Sequence, residues 1–290
     1  MSWPAASDLG SSRAPAATGR GSVSAGPAGE GPAVEGPVVL GRVRAIWTDQ
    51  DDGDLGPGVQ PGELRRREAA AFRRRGVAPR PVCRVRQVHS NRVVVVVPRA
   101  EDGRGAGVSG GDRPSSGWPS ELEDADGPDD ADGPDDADGI VTTCPGIALA
   151  VVSADCGTVA FSSPEGVVGV AHCGWRGLVS GVLEAAVAAM RALGAGSVTA
   201  ALGPCVHPEC YEFSAPDLEA VEAAVMAPVG ATTATGQPAL DLPAGIRARL
   251  RQAQVDVAQG EDACTACSGR HFSYRATGTP ARQALFAWLE

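Results

Sequence analysis

The stretch Val167–Met190, VVGVAHCGWRGLVSGVLEAAVAAM, decides how the rest of the chain is read. It opens as a short apolar run (Val167, Val168, Val170) and reaches His172, as a strand does before a loop. Gly174-Trp175-Arg176-Gly177 then turns the chain, and Leu178, Val182, Leu183, Ala186, Val187 and Met190 recur at helical spacing. Two glycines between a strand and a helix let backbone approach a ligand closely, and the free amides of a helix start favour an anion. A titratable His and a fixed-charge Arg occupy that turn, so the chemistry is expected there.

Outward from this unit, apolar runs alternate with helical patterns. Strands are expected within Val38–Trp47, at VCRVRQV from Val82, at Val93–Val97, at Ile147–Val152, over Thr158–Phe161 and at Val198–Leu202. The unbroken Val93–Val97 run predicts a strand buried on both faces. Helices are expected over Glu63–Arg75 (Arg-rich, a solvated face), 216–226, 243–253 and Arg282–Leu289. The alternation makes the fold α/β, with mixed strand pairing because the strands near 82–97 lie close in sequence.

Residues 1–36, nearly all Gly, Ala, Pro and Ser, read as a disordered tail, and 37–290 as a single catalytic domain. That domain is interrupted at about 99–138 by an acidic insertion, read as disordered, in which ADGPDD occurs twice before Ala137-Asp138-Gly139. A calcium loop is a poor reading, since proline stands where a third ligand belongs. The 290 residues carry a net charge of −10 and no basic face, which argues against nucleic acid as a partner. No run of 18 apolar residues and no secretory leader is read, so membrane association is not expected and a cytoplasmic location with reduced thiols is.

Three strand ends carry a candidate ligand: Gln87-Val88-His89, Ala154-Asp155-Cys156 and Ala171-His172. One thiol and two imidazoles suit Zn²⁺ with a fourth position free, although spacing alone does not bring them together and a lone strand-end His is more often structural. Cys264-Thr265-Ala266-Cys267 with His271 looks like half a zinc ribbon lacking its second CxxC, and Cys205, His207 and Cys210 are similarly incomplete. No P-loop occurs, and neither a nucleophile elbow nor a dinucleotide fingerprint is read between a strand and a helix, where either would have to stand.

Taken together, QVH (87–89), ADC (154–156), AHCGWRG (171–177), Gly203-Pro204-Cys205 with Tyr211-Glu212, Cys264-Thr265 and FSYR (272–275) form an ordered set. In this the chain resembles, over about 38–290, the bacterial relatives of the human laccase-domain-containing protein. Those proteins have been described as polyphenol oxidases, as peptidoglycan-editing factors and as purine nucleoside phosphorylases. The resemblance implies a layered α/β/α fold with a mixed sheet, related to the deamidating-toxin cysteine-hydrolase-like proteins. It implies a metal site on His89, Cys156 and His172, with zinc the expected ion and copper the alternative. It also implies phosphorolysis of adenosine, inosine, guanosine and methylthioadenosine, with some adenosine deamination, by a monomer or homodimer.

The residues are compatible with that chemistry. Arg176 and Arg275 are candidates to hold phosphate and Tyr211 to contact substrate, while Cys156, Asp155 and Arg176 are the catalytic candidates. A metal-activated water at the trio would serve deamination. Asp155 could orient an imidazole or move a proton, a plain hydrogen bond being the commoner role, and Arg176 could instead form a salt bridge that locks the turn. Four histidines in the whole chain are few for multicopper oxidation. Hydrolytic editing of a cell-wall precursor and a non-enzymatic, metal-clipped binding module are the other readings. Cys173 stands where the family usually has Ala, Gly157-Thr158 where a Pro is common, the Arg65–Glu68 region where an Asn-Arg pair is expected, and Ala281-Arg282 where the family ends in Gly-Arg.

Overall fold

The computed structural model describes residues 36–97 and 135–290; the tail and most of the acidic insertion read from the sequence lie outside them. β1 (Val38–Leu40) and β2 (Val43–Trp47) form a hairpin, turned at Gly41 with φ 59°, where the sequence suggested one continuous extended stretch. Then come α1 (Pro61–Arg74), β3 (Val82–Arg84) and β4 (Val93–Val96). Beyond the insertion stand β5 (Gly139–Thr142), β6 (Ala148–Ser153), β7 (Gly157–Ser163) and β8 (Val167–Cys173). The helices α2 (Trp175–Ser180) and α3 (Val182–Ala192) lead to β9 (Thr199–Leu202) and α4 (Ala215–Val225). A small hairpin of β10 (Gly230–Thr232) and β11 (Pro238–Leu240) precedes α5 (Leu242–Gln252) and β12 (Asp256–Ala258). The short α6 (Tyr274–Thr277) and β13 (Gln283–Leu289) close the chain.

The α/β class and mixed pairing are as expected, but the strands divide between two sheets. One is β1-β2-β13-β6-β3 and the other β12-β9-β7-β8-β5-β4, and each contains parallel and antiparallel neighbours. Leu149, Val151, Leu285 and Ala287 of the first pack against Ile140, Ala160, Val168 and Val170 of the second, filling the space between them. Helix α1 covers the far face of the first sheet, and α2–α5 cover the far face of the second. The layering is therefore helix, sheet, sheet, helix. No helix among the described residues is long and apolar enough to cross a membrane.

The helix expected over Arg282–Leu289 is instead the strand β13, paired on one side with β2 and on the other with β6. Its side chains alternate: Ala284, Phe286 and Trp288 meet Phe72 of α1, while Leu285, Ala287 and Leu289 enter the inter-sheet core. A strand buried on both faces carries no polar alternation, and Ala and Leu are good helix formers, so local pattern misleads there. The expectation for Val93–Val97 also fails: β4 is the edge of its sheet and half-buried. Helix α1 is more than a solvated face, because Ala71 and Phe72 are fully buried and Glu68 pairs with Arg84 at 2.5 Å. Finally, Gly181, with φ 85°, breaks the expected single helix after the Gly-Trp-Arg-Gly turn into α2 and α3.

Candidate metal centre and its surroundings

His89 lies in the loop from β3 to β4, Cys156 in the turn by which β6 leaves one sheet and β7 enters the other, and His172 near the end of β8. Tertiary structure brings the three together. Their ligand atoms lie within 4.8 Å of one another, with Cys156 Sγ 3.9 Å from His89 Nε2 and the two imidazole rings 4.9 Å apart. Two of the four positive-φ non-glycine residues of the described chain fall here, His89 at 60° and Asp155 at 107°. An Asp at φ 107° is strained, and such backbone persists where its surroundings over-determine it.

Asp138 organises the trio, although the sequence reading placed it inside the acidic insertion. It is fully buried, and its Oδ1 stands 2.9 Å from His172 Nδ1 while its backbone oxygen accepts from His172 N at 2.7 Å. The same carboxylate accepts from the amides of Val88, His89 and Ser90 and from the Ser90 hydroxyl. One side chain thus ties the His89 loop to the His172 strand. Burial alone would raise its carboxyl, but the hydrogen bonds from His172 and Ser90 outweigh that and take it down to about 2. An ionised Asp138 accepts from His172 Nδ1–H, the tautomer that turns the Nε2 lone pair toward a metal.

The other charges follow from this arrangement. Burial opposes ionisation of Cys156, yet the neighbouring His172 and His89 prevail and lower its thiol to about 6. Burial likewise acts to lower His172, and Cys156 and Asp138 together raise it to about 9. Cys173, one residue on, is fully buried, its thiol pushed well up by burial, and it takes no part in the cluster. Gly174 is required by packing: a Cβ there would stand 2.6 Å from Cys156 Sγ.

Asp155 does not orient an imidazole. Its two oxygens accept from Thr265 Oγ1 at 2.8 Å and from the Arg275 amide at 2.7 Å, so it anchors the C-terminal loops beside Cys156. Arg176 and Arg275 are both without a carboxylate partner among the described residues; the expected alternative of a locking salt bridge at Arg176 is not seen. Their guanidinium groups lie 4.5 Å over Trp175 and 4.8 Å over Tyr211 respectively. Phe213 stands edge-on to both rings, at 5.8 Å from Trp175 and 5.6 Å from Tyr211. The result is an aromatic row capped by a cation at each end. Burial, with the charges of Cys156 and Asp155, pushes the Tyr211 phenol up, and Arg275 and Arg176 act against it. The row lies beside the trio, since Gly174, next to Trp175, packs on Cys156 Sγ, and the Arg275 amide donates to Asp155, next to Cys156. Sequence reading singled out Tyr211, Arg176 and Arg275 but missed Asp138, Trp175 and Phe213. A cavity of about 540 Å³ lined by Leu202, Arg247, Arg251, Val255 and Asp262 has none of these residues in its wall.

A thiol and two imidazoles, held by a buried carboxylate, make a candidate metal site in a protein of α/β class. Residues 54–290 match the family model of the multi-copper polyphenol oxidoreductase laccases, and the chain belongs to that family. It is 36% identical over 236 residues to a purine nucleoside phosphorylase of Streptomyces coelicolor, covering 80% of this chain and 85% of that one. A purine nucleoside phosphorylase of Streptomyces griseus is 43% identical over 154 residues, 52% of this chain and 62% of its own length. Among solved structures, a Neisseria meningitidis protein superposes with TM-score 0.63 at 26% identity, covering 88% of this chain and 96% of that one. A Bacillus licheniformis YfiH protein, at 22% identity and TM-score 0.65 over 86% of this chain and 93% of that one, shares the fold.

Proposed function

We propose that the chain is a purine nucleoside phosphorylase, cleaving the N-glycosidic bond of adenosine, inosine, guanosine and methylthioadenosine with inorganic phosphate. The observation that carries this reading is the aromatic row with, at each end, a guanidinium that has no carboxylate partner among the described residues, set beside the His89, Cys156 and His172 trio. Flat aromatic faces suit a purine, and guanidinium groups without a carboxylate partner suit a phosphate dianion. The names of the Streptomyces relatives point the same way.

In this mechanism Arg176 and Arg275 hold phosphate near the ribose, so that its oxygen forms the new bond to C1′ as the bond from C1′ to the purine nitrogen breaks. Trp175, Phe213 and Tyr211 keep the base in plane and exclude water. Asp155 positions the Arg275 backbone, and Asp138 fixes the tautomer of His172. The proton that hydrogenphosphate gives up goes to the departing purine nitrogen, so the products are the free base and ribose 1-phosphate, or methylthioribose 1-phosphate from methylthioadenosine.

The donor set fits zinc: one thiol and two imidazoles, with a carboxylate behind one imidazole, match a site with three protein ligands and an open fourth position. When bound, zinc supplies Lewis-acid polarisation at that position. This favours a second activity at the same centre, hydrolytic deamination of adenosine. The family description names copper oxidation, but four histidines in the chain, two of them in the trio, are too few for a multicopper cluster.

The test incubates metal-defined protein with adenosine and phosphate, and separately with a phenol and oxygen. Adenine plus ribose 1-phosphate, lost in Cys156→Ala, is the expected result. Phenol oxidation that scales with copper and ignores phosphate would replace this reading with the oxidase.

A further inference from the structure

The two cysteine motifs that looked incomplete in the sequence meet in space. Cys210 ends a 3-10 turn, Pro208–Cys210, and Cys264 and Cys267 flank a tight turn closed by the Ser268 amide on the Cys264 carbonyl. The ligand atoms of Glu209, Cys210, Cys264 and Cys267 lie within 4.8 Å of one another. We propose that these four residues form a second metal site, separate from the His89, Cys156 and His172 trio, that takes zinc as a structural ion.

Three observations carry this. Cys264-x-x-Cys267 has the spacing of a zinc knuckle, and Cys210 supplies the third sulfur from a distant segment. The His207 amide donates to Cys264 Sγ at 3.4 Å, the kind of contact that stabilises a metal-bound thiolate. His207 Nδ1 also stands 3.8 Å from Glu209 Oε1, backing the carboxylate that completes a four-coordinate set. A disulfide would account for two of the three thiols and leave the third, with its carboxylate, unexplained. Three sulfurs select a soft or borderline ion over calcium or magnesium, and a set closed by four protein ligands is structural in character. His271, which looked like a ligand in the sequence, points elsewhere, to Ser268 Oγ at 3.2 Å and Glu261 at 3.5 Å.

Such an ion would join two loops that serve the first site. Tyr211 follows Cys210 directly, and Thr265, next to Cys264, donates to Asp155. Binding displaces the thiol protons to solvent, so it needs no oxidant. The inference does not depend on the proposed activity.

The test uses full-length protein purified under reductant, saturated with Zn²⁺, freed of excess and assayed for metal content. The wild type is expected to hold two zinc ions per chain. His89→Ala/Cys156→Ala should retain one, and its X-ray absorption should report mostly sulfur neighbours at about 2.3 Å. Cys210→Ser/Cys267→Ser should retain only the ion of the trio, whereas Cys267→His alone, which preserves a ligand at an exposed position, should still hold both. Circular dichroism checks that each variant is folded, and zinc should raise the melting temperature of His89→Ala/Cys156→Ala. One zinc per wild-type chain, unchanged in the Cys210/Cys267 variant, would overturn the proposal. So would nitrogen and oxygen neighbours alone in His89→Ala/Cys156→Ala.

Discussion

Asp138 Oδ1 lies 2.9 Å from His172 Nδ1, and the same carboxylate collects the amides of Val88, His89 and Ser90. Both imidazoles of the trio are therefore placed by one buried side chain. Asp138→Asn keeps the shape but removes the charge that fixes the His172 tautomer. Zinc affinity at the trio should fall about 10–100-fold, read by competition with a chromophoric chelator. An unchanged affinity would mean the carboxylate is merely structural.

Gly174 has φ −81°, which any residue tolerates, so its need for glycine is purely steric. A Cβ would meet Cys156 Sγ at 2.6 Å. Gly174→Ala is expected to fold with a circular dichroism spectrum like the wild type while losing the metal of the trio. Retention of that metal with full phosphorolysis would show that Cys156 can move aside.

If Arg176 and Arg275 hold phosphate, removing either should weaken the phosphate dependence more than the nucleoside dependence. A lost charge-assisted hydrogen bond costs about 1.5–3 kcal/mol, or roughly 10–150-fold in kcat/KM for phosphate. Steady-state kinetics of Arg176→Ala and Arg275→Ala, with each substrate varied in turn, measure this. Equal losses for both substrates would assign the arginines to packing on Trp175 and Tyr211 instead.

Asp52 is buried and bonded to Arg74 at 2.7 Å and Arg75 at 2.8 Å. Burial acts to raise its carboxyl, but Arg75 and Arg74 hold it below the ordinary range. A depressed carboxyl contributes stability above its unfolded value of about 3.9, and that stability is lost as pH falls below it. Asp52→Asn strands Arg75 and should cost about 3–5 kcal/mol at pH 7, with the gap to the wild type narrowing toward pH 3. Denaturant melts at the two pH values decide it.

Phe72, Phe286 and Trp288 fill the layer between α1 and the first sheet, with ring centroids 5.0 and 5.6 Å from Phe72. Trp288→Ala should cost about 3–5 kcal/mol, measured as a lower denaturant midpoint. A loss below about 1 kcal/mol would mean that α1 is not cooperative with the sheet.

Much of the site was legible because its parts are strand ends and glycine turns, features that local pattern encodes. His89, Cys156 and His172 come from strand ends and Arg176 from a glycine turn, and the structure brings the first three together; Tyr211, after a 3-10 turn, and Arg275, in the short α6, were legible only through the family resemblance. What failed was whatever depends on partners far along the chain. QALFAWL over 283–289 is a helix by propensity and a strand because β2 and β6 offer it hydrogen bonds on both sides. Cys210 and the Cys264–Cys267 turn each look incomplete until folding joins them.

The sequence by itself determined the β8–turn–α2 unit, since Gly174 and Gly177 and the apolar periodicity act over a few residues. It could not single out Asp138. Ala-Asp-Gly occurs at 125–127, at 131–133 and again at 137–139, identical each time. Only tertiary structure decides that Asp138 is buried, ionised and bound to His172, because burial and charge pairing belong to the neighbours a residue meets and not to its local sequence.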